Sequence, residues 1–238
     1  MEWASEVKMC FAVNQENRKA IEKQLEFWTK RELALIGWAP KRWMDAFAHP
    51  ILPVVLNDHS VELASWGLIP GWVKDDAKAK ELSNMTLNAK IETIFELPSF
   101  RASAPGKRCL IPVNGFFEYQ HLNKSGELDP LGKLTKPFFL QIEGRECYYL
   151  GGLTSTDRNG QLTFSICTKP ANTLMRRIHN AKLRMPVIVS EEWAEGWLAN
   201  GKADDIEPFK EPRDDDGLFA EETKGKPKKG EEEQEGLF

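Results

Sequence analysis

The 238-residue sequence predicts a single α+β domain. Two observations carry that expectation. Strand-like runs recur along most of the chain: Ile51 to Leu56, Val61 to Trp66, Arg108 to Val113, Phe116 to Gln120, Pro137 to Glu143, Cys147 to Ser155, Leu162 to Thr168 and Met185 to Ser190. Helical spacing, by contrast, is confined to a few short segments between and beyond them. The expected boundaries are an extension or misassigned start over 1–8, the domain over 9–209, and a disordered charged tail over 210–238.

In chain order, Asn14 to Trp28 reads as an amphipathic helix that Asn14 caps, with Ile21, Leu25 and Trp28 on one face. The runs Ile51 to Leu56 and Val61 to Trp66 meet at Asn57-Asp58. Trp66-Gly67-Leu68-Ile69-Pro70-Gly71-Trp72 then breaks the pattern: Gly67, Pro70 and Gly71 impose a loop, yet its side chains are large and apolar. Such a loop either folds onto the core or presents an apolar wedge to a ligand. Lys74 to Leu82 reads as a short helix, and Asn88 to Phe95 as another with Ile91 and Phe95 inward. Asn114-Gly115 reads as a turn between two strands, and Asn159-Gly160 as a hairpin turn. His121 to Lys136 is an exposed insert. Ala171 to His179 is a helix with His179 at its C-terminal end, and Glu191 to Leu198 closes the domain with Trp193 and Trp197 at i, i+4.

Composition narrows the function. The net charge is −4, and from Lys210 onward ten acidic side chains face six basic ones, so the rest is close to neutral. Any nucleic-acid footprint must then be a local patch. No apolar run is long enough to span a membrane and no charged-then-apolar leader is present, which points to a cytoplasmic protein with no membrane partner. Cys10, Cys109, Cys147 and Cys167 form no CxxC pair and have no His at metal-ligand spacing. Neither a metal nor another cofactor is expected, and the three later thiols read as inert core residues.

Cys10 follows Met9. If translation starts at Met9 and that methionine is removed, Cys10 carries a free amine and a thiol on adjacent carbons. Such a residue condenses with an aldehyde to an imine, which the thiol closes to a five-membered thiazolidine. The plainer reading is a small buried hydrophobe opening a first strand.

Six blocks stand in one order: Met9-Cys10, Trp66 to Trp72, Asn88-Ala89-Lys90-Ile91-Glu92-Thr93, Arg108 to Pro112, Gly115-Phe116-Phe117-Glu118-Tyr119, and Ile178-His179 with Arg184-Met185-Pro186. Together they resemble the SOS-response-associated peptidase (SRAP) family, from Met9 to about residue 200. The resemblance implies a mostly antiparallel, barrel-like β core flanked by short helices, with a site in a groove near the N-terminus. It implies a monomeric enzyme that crosslinks to abasic sites in single-stranded DNA, on the nucleoid during repair. Autopeptidase or lyase-like activity is also implied, self-cleavage of Met9-Cys10 being a second way to expose Cys10. Cys10, Asn88, Glu118 and His179 would be catalytic, and Trp66, Pro70, Trp72, Lys90 and Arg184 would touch DNA. Glu118 lies between aromatic residues, where desolvation disfavours the charged form and suits an acid/base.

Three features depart from the family pattern. Cys10 is followed by Phe11-Ala12 where the family has Gly-Arg, Lys90 replaces an arginine, and Ala181-Lys182-Leu183 lengthens the path from His179 to Arg184. Two other functions remain open: a cysteine peptidase with Cys10 as nucleophile and His179 as base, and a non-covalent single-stranded DNA adaptor. The ending Gln234-Glu235-Gly236-Leu237-Phe238 resembles the Gln-x-x-Leu-Phe peptide that docks on the replication sliding clamp, so Gln234, Leu237 and Phe238 are expected clamp contacts.

Overall fold

Alternating apolar residues decide which face each strand buries. The computed structural model describes residues 12–29, 35–214 and 217–226. Its strands are β1 (Ala12–Asn14), β2 (Met44–Asp45), β3 (Ile51–Val55), β4 (Val61–Trp66), β5 (Asn88–Lys90), β6 (Arg108–Val113) and β7 (Gly115–Leu122). They continue as β8 (Leu134–Ile142), β9 (Tyr148–Thr156), β10 (Leu162–Pro170), β11 (Arg184–Pro186), β12 (Ile188–Val189) and β13 (Leu218–Glu222). The helices are α1 (Arg18–Thr29), α2 (Asp76–Met85), α3 (Thr173–Ile178), α4 (Glu191–Leu198) and α5 (Glu207–Lys210).

Hydrogen bonding runs β10-β4-β3-β6-β9, and β9 pairs back onto β10 to close a five-stranded ring. Every step is antiparallel except β10 to β4. Closure removes the exposed edges that an open sheet would leave. A second sheet, β13-β8-β7-β1-β2, is antiparallel throughout and packs against the ring. Trp66, Ile111, Phe116 and Phe164 fill the core between them, and Ile21, Leu25, Leu110 and Trp197 form a second core beneath α1 and α4. The α+β class and the barrel-like core are as expected.

Local details differ from the sequence reading. Asn14 joins β1 opposite Gly115, and Asn17 caps α1 by accepting from the Ala20 amide at 3.2 Å. Asn114-Gly115 is no hairpin turn, for β6 and β7 belong to different sheets. Asn114 is used up at the crossing, its amide bonding Asn14 O and its side chain Glu146 O. Asn88 does not open a helix: Asn88–Lys90 pairs in parallel with Ile166 to Thr168, and only Ile91–Thr93 turns into a short 3₁₀ segment.

The tail also differs from its expected disorder. Leu218–Glu222 pairs with Phe138 to Ile142, while Leu218 and Ala220 pack on the core. The outer edge of β8 offers a row of unpaired backbone groups, and satisfying it outweighs the polar composition. The segment then crosses the sheet: Thr223 N bonds Pro137 O at 3.0 Å, Arg42 donates to Thr223 Oγ1, and Lys226 pairs with Asp45 at 2.6 Å.

Candidate active site

β7 carries Glu118 and α3 delivers His179. Antiparallel pairing sets Phe117 opposite Ala12, the first described residue of β1, and Glu118 is the next residue along. Glu118 is 3% exposed and His179 2%. Glu118 Oε1 and His179 Nδ1 are 3.8 Å apart. His179 Nδ1 lies 2.9 Å from the carbonyl of Arg184. A carbonyl only accepts, so Nδ1 carries the hydrogen and the neutral ring keeps its lone pair on Nε2. Among the described residues, that buried Nε2 has no hydrogen-bond partner. A buried carboxylate beside an imidazole whose second nitrogen is uncommitted is the arrangement that acid/base chemistry needs.

Asn180 fixes the relation between the two elements, and nothing in the sequence pointed to it. Its side chain accepts from His121 N and donates to His121 O, both at 2.8 Å, three residues along β7 from Glu118. Gln120 adds a bond to Arg177 O at 2.8 Å. The end of α3 is thus clamped on the strand that bears Glu118.

The inserted Ala181-Lys182-Leu183 is looped out. Leu183 N returns to His179 O at 2.9 Å, and Leu183 takes φ 55°. Left-handed backbone costs a branched residue about 1–2 kcal/mol. Leu183→Gly is therefore expected to raise stability by about 0.5–1 kcal/mol after glycine's own entropy cost, read as a higher urea midpoint. An unchanged or lower midpoint contradicts it.

The other expected residues fall into two groups. Asn88 and Lys90 project to one side of β5 while Ala89 enters the core, and Lys90 is exposed. Trp72 is 55% exposed. Trp66 and Pro70 do not fit the DNA-contact role: both are buried. Trp66 stacks on Phe164 with centroids 5.8 Å apart and donates to Leu87 O at 2.8 Å, which occupies both its face and its polar atom. The loop can turn there because Gly67 has φ 116°, and a Cβ would lie 2.8 Å from both His49 Nδ1 and Ser83 O. Arg184, expected on a phosphate, instead spends its guanidinium on Glu92 and on Thr168 O. Cys10, Gln234, Leu237 and Phe238 lie outside the described residues.

A groove of about 510 Å³ lies beside β2 and β3 and is lined by none of the expected site residues. Trp43, Ile51, Lys41 and Lys226 line it. Trp43 packs on Phe117 with centroids 4.3 Å apart, which ties the groove to the strand of Glu118. A separate cavity of about 270 Å³ between β12, α4 and α5 is lined by none of the expected site residues. Cys109, Cys147 and Cys167 are buried, and burial pushes all three thiols up, Cys147 to about 12. None of them is a thiolate at neutral pH. Among the described residues no three metal-ligating side chains gather, and no helix is long and apolar enough to cross a membrane.

Comparison with known proteins bears on family and fold. Abasic site processing protein YoqW of Bacillus subtilis is 33% identical over 175 residues, covering 70% of this chain and 71% of that one. A crystal structure of a Bacteroides thetaiotaomicron protein superposes with a TM-score of 0.76 at 29% identity, covering 91% of this chain and 93% of that chain. One from Bordetella bronchiseptica, at 20% identity, shares the fold with a TM-score of 0.69 over 91% of this chain and 100% of that chain. The model of the SOS response associated peptidase (SRAP) family matches residues 9–222. That span takes in the closed ring, the second sheet and the Glu118–His179 pair, and the chain belongs to this family.

Proposed function

We propose that the protein recognises abasic sites in single-stranded DNA and captures them covalently through Cys10. The observation that carries this reading is the buried Glu118–His179 pair, whose carboxylate stands on the strand beside β1. Cys10 precedes Ala12 by two residues, a reach of about 7 Å at most, and Ala12 pairs with the neighbour of Glu118. The relation to YoqW, named as an abasic site processing protein, supports the substrate class.

An abasic deoxyribose opens to an aldehyde at C1′. The Cys10 α-amine, with an ordinary pKa of about 7.7–8.0, is partly neutral near pH 7 and attacks that carbon. The carbinolamine loses water to an imine, and the thiol adds across it to close the thiazolidine. One water is released overall. Glu118 moves the protons of ring opening and dehydration, and His179 Nε2 holds or accepts the proton of the sugar oxygen. Asn88 orients the amine or the sugar, Lys90 contacts a phosphate, and Trp72 stacks on a flanking base. Lysine keeps the charge of the usual arginine without its fork, which predicts a weaker phosphate contact. Gln234, Leu237 and Phe238 would tether the protein to the sliding clamp.

The test is a denaturing gel of an abasic single strand incubated with two forms of the protein, one beginning at Cys10 and one with residues 1–9 blocked in place. Capture requires a shifted band that survives denaturation with the first form alone. Equal thiol-dependent hydrolysis by both forms would favour a cysteine peptidase. Salt-sensitive binding with no surviving band, unaffected by Cys10→Ala, would favour a non-covalent adaptor.

A further inference from the structure

Arg184 is held at both ends. Its guanidinium donates to both carboxylate oxygens of Glu92, one contact at 2.8 Å, and to Thr168 O at 2.6 Å. Its own carbonyl accepts from His179 Nδ1. The Arg184 side chain is 13% exposed and Glu92 37%. A planar fork on a carboxylate fixes direction as well as distance, and lysine cannot reproduce it. Two constraints therefore meet at one peptide carbonyl. Without the guanidinium bonds, the carbonyl follows a turn whose last residue is in left-handed backbone and is held only by the end of the β11–β10 pairing, where Arg184 faces Pro170, so its aim at the imidazole would loosen.

We propose that Glu92 is a positioning residue: through Arg184 it holds the Arg184 carbonyl on His179 Nδ1 and thereby keeps Nε2 as the basic nitrogen of the site. The inference rests on the reading of Glu118 and His179 as the acid/base pair, and it replaces the phosphate role expected for Arg184. Partial burial pushes the Glu92 carboxyl up, but the Arg184 hydrogen bond, a backbone bond and the charges of Arg184 and Lys90 hold it below its ordinary range. The pair stays ionised at neutral pH.

Three measurements on Glu92→Gln separate this role from its rivals. The ring-nitrogen NMR signals of His179 are expected to report the Nδ1–H tautomer in the wild type and a mixture in the variant. Covalent capture at saturating abasic strand is expected to slow by about tenfold or more, the scale of losing an orienting partner. Affinity for an intact single strand, and its salt slope, are expected to stay unchanged. Arg184→Lys, which loses the fork but keeps the charge, serves as the second variant and is expected to behave alike. An unchanged tautomer or an unchanged capture rate in both variants overturns the proposal. So does a loss of affinity with a shallower salt slope, which would restore the phosphate contact. If the wild type forms no covalent adduct, the capture reading fails, and the NMR signals still decide whether Glu92 sets the tautomer.

Discussion

Glu118→Gln is expected to slow covalent capture by a factor of about 10²–10⁴, the usual scale of a lost proton-transfer group, while affinity for an intact single strand is retained. Glutamine has nearly the same shape and cannot take or give the proton. At 3% exposure the position is already desolvated, and a neutral amide costs less to bury than a carboxylate, so the thermal midpoint is expected to hold. Single-turnover kinetics on an abasic strand, with melting of the same sample, reads both quantities. A capture rate equal to wild type contradicts the assignment, and a collapse in stability would show that Glu118 is structural instead.

Arg108→Ala is expected to have the largest effect on stability, about 3–5 kcal/mol. Arg108 is fully buried. It donates to Trp197 O at 2.6 Å, to Ala104 O at 2.9 Å and to Ala199 O. Two of those carbonyls end α4, where unpaired acceptors and the helix dipole both favour a cation. Alanine leaves the buried Trp197 and Ala104 carbonyls unpaired, while that of Ala199 lies nearer the surface. Burial pulls the guanidinium pKa down from its ordinary value, yet that value is high enough for the charge to persist. The urea midpoint should fall with little change in slope. A shift of under about 1 kcal/mol, the range of exposed positions, would show that water reaches these carbonyls.

Arg108 also marks a limit of sequence reading. It opens a strand inside one of the ordered blocks, and a charged residue there carries no local sign of full burial. Segments with strong period were legible: the strands at Ile51–Val55 and Val61–Trp66 fall within a residue of their expected bounds, and Glu191–Leu198 was read in full. Asn88–Lys90 and Leu218–Glu222 were not, because each is made a strand by a partner far along the chain. Ile91 and Phe95 imitate a helical stripe, and the charges around Leu218 and Ala220 imitate a solvated tail. At the candidate site, Glu118 and His179 are singled out by the ordered blocks, and their approach to 3.8 Å is supplied by the fold. The roles of Asn180 and Glu92 depend on contacts with His121 and Arg184, which no spacing along the chain encodes. Trp66 and Trp72 are alike in sequence, and only packing separates the core residue from the exposed one.

The most direct test is the mass of the adduct formed between an abasic single strand and protein whose first residue is verified as Cys10. Capture by a thiazolidine predicts the sum of the two masses less one water, with the link mapped to Cys10 and no free thiol or amine left there. An adduct of that mass on a chain that retains Met9, or one mapped to any other residue, would contradict it.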